Sequence, residues 1–349
     1  MVLFLPLASF GATIKKLEFS AWVPYWKKTA ATAEARANLS QLNTILPFSY
    51  EVNADGTIKD TMKIGQEPWV SLIASVRAKK VKIIPSIAWT DQTAISKVLS
   101  TQKSRLAHIK QITDLVNKSN FDGVDIDYEN KSAKVFHTFT AFIRDLSREL
   151  KKNKKTLSCT LEARLPPTSR FANVPEEIKY ANDYKTLNQY CDEVRLMTYD
   201  QMTADLLLNK KKKSLGLYAP VADADFVKKV VAYARHEISV KKIIIGVANY
   251  GYAWQVTDKG TYYNYRKLSA LTYKNFMDLA SSTGSTPVRN TAGELSFSYV
   301  KENQNRYAVI SDSVAIASKI KLAKSMGVKG VTLFKIDGES DPNLWSVFK

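Results

Sequence analysis

The chain has 349 residues and a mass of 39.2 kDa, with 45% apolar and 24% charged residues. These values exclude a mini-protein, a collagen-like chain and a strongly disordered one, and a chain of this length can bury roughly three-quarters of its unfolded surface without metal or a disulfide framework. The formal charge is +18, but the lysines recur in pairs and short runs from Lys15-Lys16 to Lys241-Lys242 instead of forming a tail. That pattern suits a solvated basic surface or attraction to an anionic polymer. No nucleic-acid-binding motif accompanies it, so nucleic acid is not an expected partner.

Residues 1–12 are apolar and end in small residues, like the tail of an export signal, but lack its positive start. Two readings stay open: a truncated signal peptide, or a segment covering the bottom of the fold. No interior run reaches the eighteen or more apolar residues of a membrane span. Cys159 and Cys191 are the only cysteines, which excludes a cysteine-built metal site and leaves one bridge open if their strands are neighbours. His108, His137 and His236 share no spacing that would gather them. No metal or cofactor is expected.

In chain order, apolar or alternating runs predict strands over 17–22, 43–50, 81–88, 121–129, 156–163, 192–199, 242–249 and 328–336. Between them lie helical patterns over 69–79, 103–118, 131–150, 221–236 and 312–326; in 131–150 Phe139, Phe142, Ile143, Leu146 and Leu150 recur at spacings of three and four. Strand then helix, eight times, is the grammar of a (β/α)₈ TIM barrel, here over 13–349. The rival, a doubly wound sheet, would show a glycine-rich phosphate turn after an early strand, and none is present. Residues 255–307 break the rhythm with aromatics and hairpin-like fragments, which predicts a small α+β insertion between strands seven and eight.

The informative segment is Phe121-Asp-Gly-Val-Asp-Ile-Asp-Tyr-Glu-Asn130. Side chains alternate across a strand, so Asp125, Asp127 and Glu129 share one face and Val124, Ile126 and Tyr128 the other. In a barrel the first set points inward. A buried column of like charges raises the pKa of at least one member and yields a protonated acid at the open rim, where barrel enzymes place their chemistry. Glu129, last on the strand, is the expected general acid. Asp122 has the wrong parity and reads as a residue bonding the backbone at the start of the strand.

The spacing D-x-x-D-x-D-x-E over Asp122, Asp125, Asp127 and Glu129 resembles the signature of family 18 glycoside hydrolases, the chitinase-like barrels. Met197-Thr-Tyr-Asp200, Gly246 through Tyr250-Gly-Tyr252 and Gly330 to Phe334 agree in order and place. Phe48-Ser-Tyr50, Ala219-Pro220 and Gly338-Glu339 look closest to the spore-cortex and cell-wall N-acetylglucosaminidase branch.

The resemblance implies a retaining hydrolase of β-1,4 linkages following N-acetylglucosamine, in chitin or peptidoglycan, with the substrate's own 2-acetamido oxygen as nucleophile. Glu129 would be acid and then base, Asp127 would orient the acetamido group, and Asp125 would share a proton with it. Tyr199 would donate to the acetamido oxygen and Asp200 would bond sugar polar groups. Trp22, Tyr50, Trp89, Met197, Tyr250 and Phe334 are the expected substrate-binding residues, since sugar faces lie flat on rings. The family usually has tryptophan where this chain has Phe334, which predicts a looser floor. The alternative is a non-catalytic glycan-binding barrel, against which the presence of Glu129 argues. The implied partner is an N-acetylglucosamine polysaccharide, with Lys210 to Lys213 drawing an anionic cell-wall surface, and the implied setting is a monomer outside the cell or in its envelope.

Overall fold

The computed structural model describes residues 16–207 and 216–349. The apolar stretch at 1–12 and Lys210 to Lys213 lie outside the described residues.

Eight parallel strands close into a barrel: Glu18–Pro24, Thr44–Val52, Ser86–Trp89, Gly123–Tyr128, Thr156–Leu161, Glu193–Leu196, Ile243–Ala248 and Gly330–Phe334. The ring closes because the first strand pairs with both the second, Ser20 opposite Thr44, and the eighth, Glu18 opposite Gly330. All eight predicted strands are present. The five predicted helical patterns form helices, and three more, Lys28–Ala37, Gln92–Ser100 and Tyr184–Tyr190, were not signalled by the periodicity. They are short, and the first is rich in alanine and threonine, so none of the three has a long apolar stripe to read.

One polar device recurs at the starts of the second, fourth and sixth strands. Asn43, Asp122 and Asp192 each precede a strand, and each side chain accepts a backbone N–H from the segment before it: Phe19 at 2.8 Å, Ile83 at 2.8 Å and Leu157 at 2.9 Å. These bonds use donors at the barrel's bottom rim that the parallel ladder leaves over.

The outer face of each strand supplies the main core. Behind the fourth strand, Tyr128 stacks on Phe142 at 5.6 Å, and its hydroxyl lies 2.6 Å from Nε2 of buried His108. Helix Phe136–Lys152 buries Phe139, Phe142, Ile143, Leu146 and Leu150, the residues of its apolar stripe. Cys159, outward on the fifth strand, is bridged to Cys191 just before the sixth, with Cα atoms 6.2 Å apart.

The insertion between the seventh and eighth strands is a five-stranded antiparallel sheet spanning Gly251–Ile310, with helix Tyr273–Ser282 on one side. Alternation gives the sheet two apolar faces. Ala253, Phe297, Ala308 and Ile310 meet Phe276 of the helix, while Tyr252, Trp254, Tyr307 and Val309 join Tyr199 and Tyr250 at the barrel's mouth. Buried Glu294 fastens the sheet to the loop after the sixth strand, accepting the N–H groups of Val221 and Ala222 at 2.8 and 3.0 Å and facing Lys319 at 3.4 Å.

Thiol titration of unfolded, unreduced protein is expected to find no free cysteine. Closing a loop of 32 residues restricts the unfolded chain, so replacing both cysteines by alanine is expected to lower the unfolding free energy by about 2–4 kcal/mol in denaturant titration.

Candidate active site

The inner face of the fourth strand carries the acids, as alternation requires. Asp125 is fully buried on the barrel axis, and three hydroxyls from neighbouring strands donate to it: Ser86 at 2.7 Å, Ser158 at 2.7 Å, and Thr160, 2.8 and 2.9 Å from its two oxygens. Each serine is held in turn. Trp22 Nε1–H donates to Ser86 Oγ at 2.9 Å, and Arg195 Nε–H to Ser158 Oγ at 2.9 Å. Buried Arg195 also donates to Ser20 at 2.7 Å and Glu193 at 2.5 Å. Burial opposes ionisation of Glu193, but Arg195 and Lys329 outweigh it and hold its carboxyl below the ordinary range. The positive charge beneath Asp125 thus acts through a hydroxyl.

Asp127 has no such cradle. It is buried, and its Oδ1 has no hydrogen-bond partner among the described residues. Burial, then the charges of Glu129 and Asp125, push its carboxyl well above the usual range. Glu129, half-buried at the rim, is also raised, by burial first and then by Glu162, while Lys131 pulls it back. Both groups are therefore shifted toward the protonated form, the state a general acid needs before substrate arrives.

Tyr199 and Asp200 follow the sixth strand. Burial and the surrounding carboxylates of Asp127, Asp200, Glu129 and Asp125 raise the Tyr199 phenol well above its ordinary range, so it stays a donor. Its ring passes so close to the seventh strand that a side chain at Gly246 would stand 2.7 Å from its Cε1, which explains the glycine. Asp200 adopts φ 56°, a left-handed turn that Asp tolerates, and its Oδ1 accepts the hydroxyls of Tyr250 at 2.8 Å and Tyr252 at 2.5 Å.

Phe334 ends the eighth strand, half-buried, at the centre of an aromatic ring. Tyr199 stacks on it at 5.7 Å, and Trp22, Tyr250 and Phe48 meet it edge to face at 5.7, 6.0 and 6.4 Å. Half-buried Met197 packs into the same cluster. The structure therefore brings together Asp125, Asp127, Glu129, Tyr199, Asp200, Met197, Tyr250 and Phe334. Trp22 is 2% exposed and supports the floor from beneath.

Two expected substrate contacts are corrected. Tyr50 and Trp89 face outward, buried under the helices, with Tyr50 against Phe121 at 6.4 Å and Trp89 against Tyr128 at 5.3 Å. For Tyr50 the cause is a bulge: the register with the third strand shifts between Phe48 and Tyr50, so Phe48 keeps the inward parity and Tyr50 loses it. Trp89 has the parity of Ile87, opposite to inward Ser86. Glu162, at the rim of the fifth strand, accepts the Asn130 N–H at 2.7 Å. Sequence reading missed the cradle of Ser86, Ser158 and Thr160, although the polar–apolar alternation of Thr156–Leu161 signals two inward hydroxyls. It also missed Lys131, whose ammonium approaches the Tyr128 carbonyl and the Phe139 ring.

The raised Asp127 carboxyl sets a pH dependence of stability. An unfolded Asp releases its proton near 3.8, whereas the folded protein holds this one to higher pH, so stability is lost as pH rises through that window. Asp127→Asn is expected to be more stable than the parent at pH 7, with the gain disappearing below pH 3.8 in urea titrations, while turnover falls by about 10²–10³-fold.

The chain matches the family described as Glycosyl hydrolases family 18 over residues 21–339. It is 24% identical to the Uncharacterized glycosylase YvbX of Bacillus subtilis (strain 168), covering 74% of this chain and 70% of that protein. It is 27% identical to the Cortical fragment-lytic enzyme of Bacillus cereus, covering 85% of this chain and 65% of that protein. The chain thus spans about two-thirds of the length of these relatives. Among solved structures, the spore cortex-lytic enzyme SleL of Bacillus megaterium QM B1551 superposes with a TM-score of 0.75 at 20% identity, over 95% of this chain and 73% of that one. A chitinase from Chromobacterium violaceum ATCC 12472 gives 0.76 at 18% identity, over 95% and 98%. With the acidic strand, the tyrosine–aspartate pair and the aromatic floor in one cleft, the family match over most of its length makes this chain a member of family 18 of the glycosyl hydrolases.

Proposed function

We propose that the protein hydrolyses β-1,4 linkages following N-acetylglucosamine in chitin or peptidoglycan, with retention and with assistance from the substrate's acetamido group. One observation carries the reading: a buried acid, Asp127, whose Oδ1 has no hydrogen-bond partner among the described residues, lies between a satisfied Asp125 and a half-exposed Glu129 whose carboxyl is raised by burial. In the proposed reaction the sugar lies on Phe334. Glu129 protonates the glycosidic oxygen as the acetamido oxygen attacks the anomeric carbon from the opposite side. The oxazolinium that forms is positive, and the carboxylate left on Glu129, together with an Asp127 oxygen that accepts the acetamido N–H, stabilises it. Tyr199 donates to the acetamido oxygen and fixes it for attack. Water then opens the ring, with the Glu129 carboxylate as base.

Asp125 enters this scheme as a positioning residue. Its oxygens are occupied by three hydroxyls, so it acts on Asp127 by charge, raising the proton affinity of the free site.

Action outside the cell or in its envelope belongs to the same proposal. The Cys159–Cys191 bridge suits an oxidising compartment, and no helix among the described residues is long and apolar enough to cross a membrane. The family relatives named above include enzymes described as lytic for spore cortex.

Chitooligosaccharides and purified peptidoglycan incubated with the protein are expected to yield shorter products with the β-anomer formed first, read by mass and by proton NMR. Glu129→Gln is expected to lower kcat by about 10²–10⁴-fold with little change in KM; retained activity, or inversion, would sink the assignment. Phe334→Trp enlarges the floor and is expected to lower KM for chitooligosaccharides, and a weaker enzyme would count against a loose floor.

A further inference from the structure

Beyond Glu129 the chain builds a second recess that the reaction scheme leaves unused. It has a volume near 350 Å³, begins at Asn130 and Lys131 and runs over the loop after the fifth strand. Phe334, the floor for the sugar that reacts, ends the eighth strand, half a turn of the barrel away from the fourth. A glycan seated on Phe334 and reaching Glu129 with its glycosidic oxygen therefore sends its leaving sugar toward this recess.

The lining is unbalanced in charge. Lys131, Arg164, Arg170 and Lys179 face it, against Glu162 alone. Glu162 already accepts the Asn130 N–H, and Lys179 pairs with Glu177 at 3.2 Å, outside the recess lining. Arg164 is fixed: its guanidinium lies 3.8 Å from the Tyr180 ring centroid and 4.1 Å from that of Tyr184, and one arm donates to the Asn182 carbonyl at 2.8 Å. Among the described residues no carboxylate stands within ion-pair distance of it. A planar cation clamped between two rings has already lost its side-chain freedom and keeps unused donors for a carboxylate. Phe171, 37% exposed in the same lining, offers an apolar face of the kind on which a sugar ring lies.

We propose that this recess is the leaving-group subsite and that Arg164 recognises a carboxylate carried by the leaving sugar, as on the lactyl-ether sugar that follows N-acetylglucosamine in bacterial wall glycan. The proposal rests on the hydrolase reading above and narrows its substrate to acidic glycans, with neutral chitin the poorer one. Arg164 is a specificity-determining residue here, acting on binding of the departing half and not on the proton transfer.

The test compares three substrates: chitohexaose, a purified peptide-free wall glycan with free lactyl carboxylates, and the same glycan after methylamidation of those carboxylates. For the unaltered protein, amidation is expected to lower kcat/KM by about 10–100-fold. Arg164→Gln is expected to lower the acidic-to-amidated preference by the same factor, and the two losses should not add, because both remove one contact. Arg164→Lys keeps the charge without the fork and should restore part of the preference. Cleavage of chitohexaose together with indifference to amidation would overturn the acidic subsite and leave the hydrolase reading standing. Equal losses by Arg164→Gln on the free and amidated glycans would overturn the assignment of Arg164, and cleavage of none of the three by the unaltered protein would overturn both readings.

Discussion

The constraint on which the rest depends is that a barrel interior must hold negative charge. Asp125, Asp127 and Glu193 are buried on or near the axis, where an isolated carboxylate would be far too costly to keep ionised. The protein meets the cost in three ways at three heights. At the bottom, Glu193 meets Arg195 at 2.5 Å and Lys329 at 2.7 Å. In the middle, Asp125 is satisfied by hydroxyls, one of them polarised by Arg195. At the top, Asp127 has neither, and holds its proton instead. The gradient from ion-paired to hydroxyl-bonded to proton-raised runs toward the mouth, where Lys131 only partly offsets the burial of Asp127.

That arrangement uses both faces of one strand. The outer residues Val124 and Ile126 join the main core and Tyr128 packs on His108, Phe139 and Phe142, and a slip of one residue would exchange them with the acids. The apolar face thereby fixes the register that the acidic face requires. Removing a buried apolar side chain there would act on catalysis through position, not charge. The same economy holds for the insertion, whose inner face, with Tyr252 and Trp254, completes the aromatic wall begun by Tyr199 and Tyr250.

What was legible in the sequence is what local rules determine. The eight strands, the longer amphipathic helices, the inward column of acids and the strand-start role of Asp122 all follow from periods of two or three to four residues. Tyr50 and Trp89 were not legible. Their orientation depends on a bulge between Phe48 and Tyr50 and on which parity of a four-residue strand points inward, both set by pairing with neighbours. The hydroxyl cradle of Asp125 comes from two other strands, so its members become a group only when the ring closes. The recess past Glu129 is further from reach, because Arg164 owes its position to Tyr180 and Tyr184, in a segment without regular periodicity.

Phe334 illustrates how a departure from a family pattern can stay local. The position is surrounded by Trp22, Phe48, Tyr199 and Tyr250, three of them edge-on, so the phenyl ring is already held in place without an indole donor. Behind it, Asn249 donates to the Lys335 carbonyl at 3.2 Å and to Ser340 Oγ at 2.8 Å, and its backbone N–H meets the Phe334 carbonyl at 2.8 Å. The backbone that aims the ring is thus fixed by the seventh strand independently of which aromatic it carries. A smaller floor then reduces contact area with the sugar while leaving the acids, Tyr199 and Asp200 in register, so sugar recognition must draw more on the polar groups around the ring and on whatever grips the leaving half.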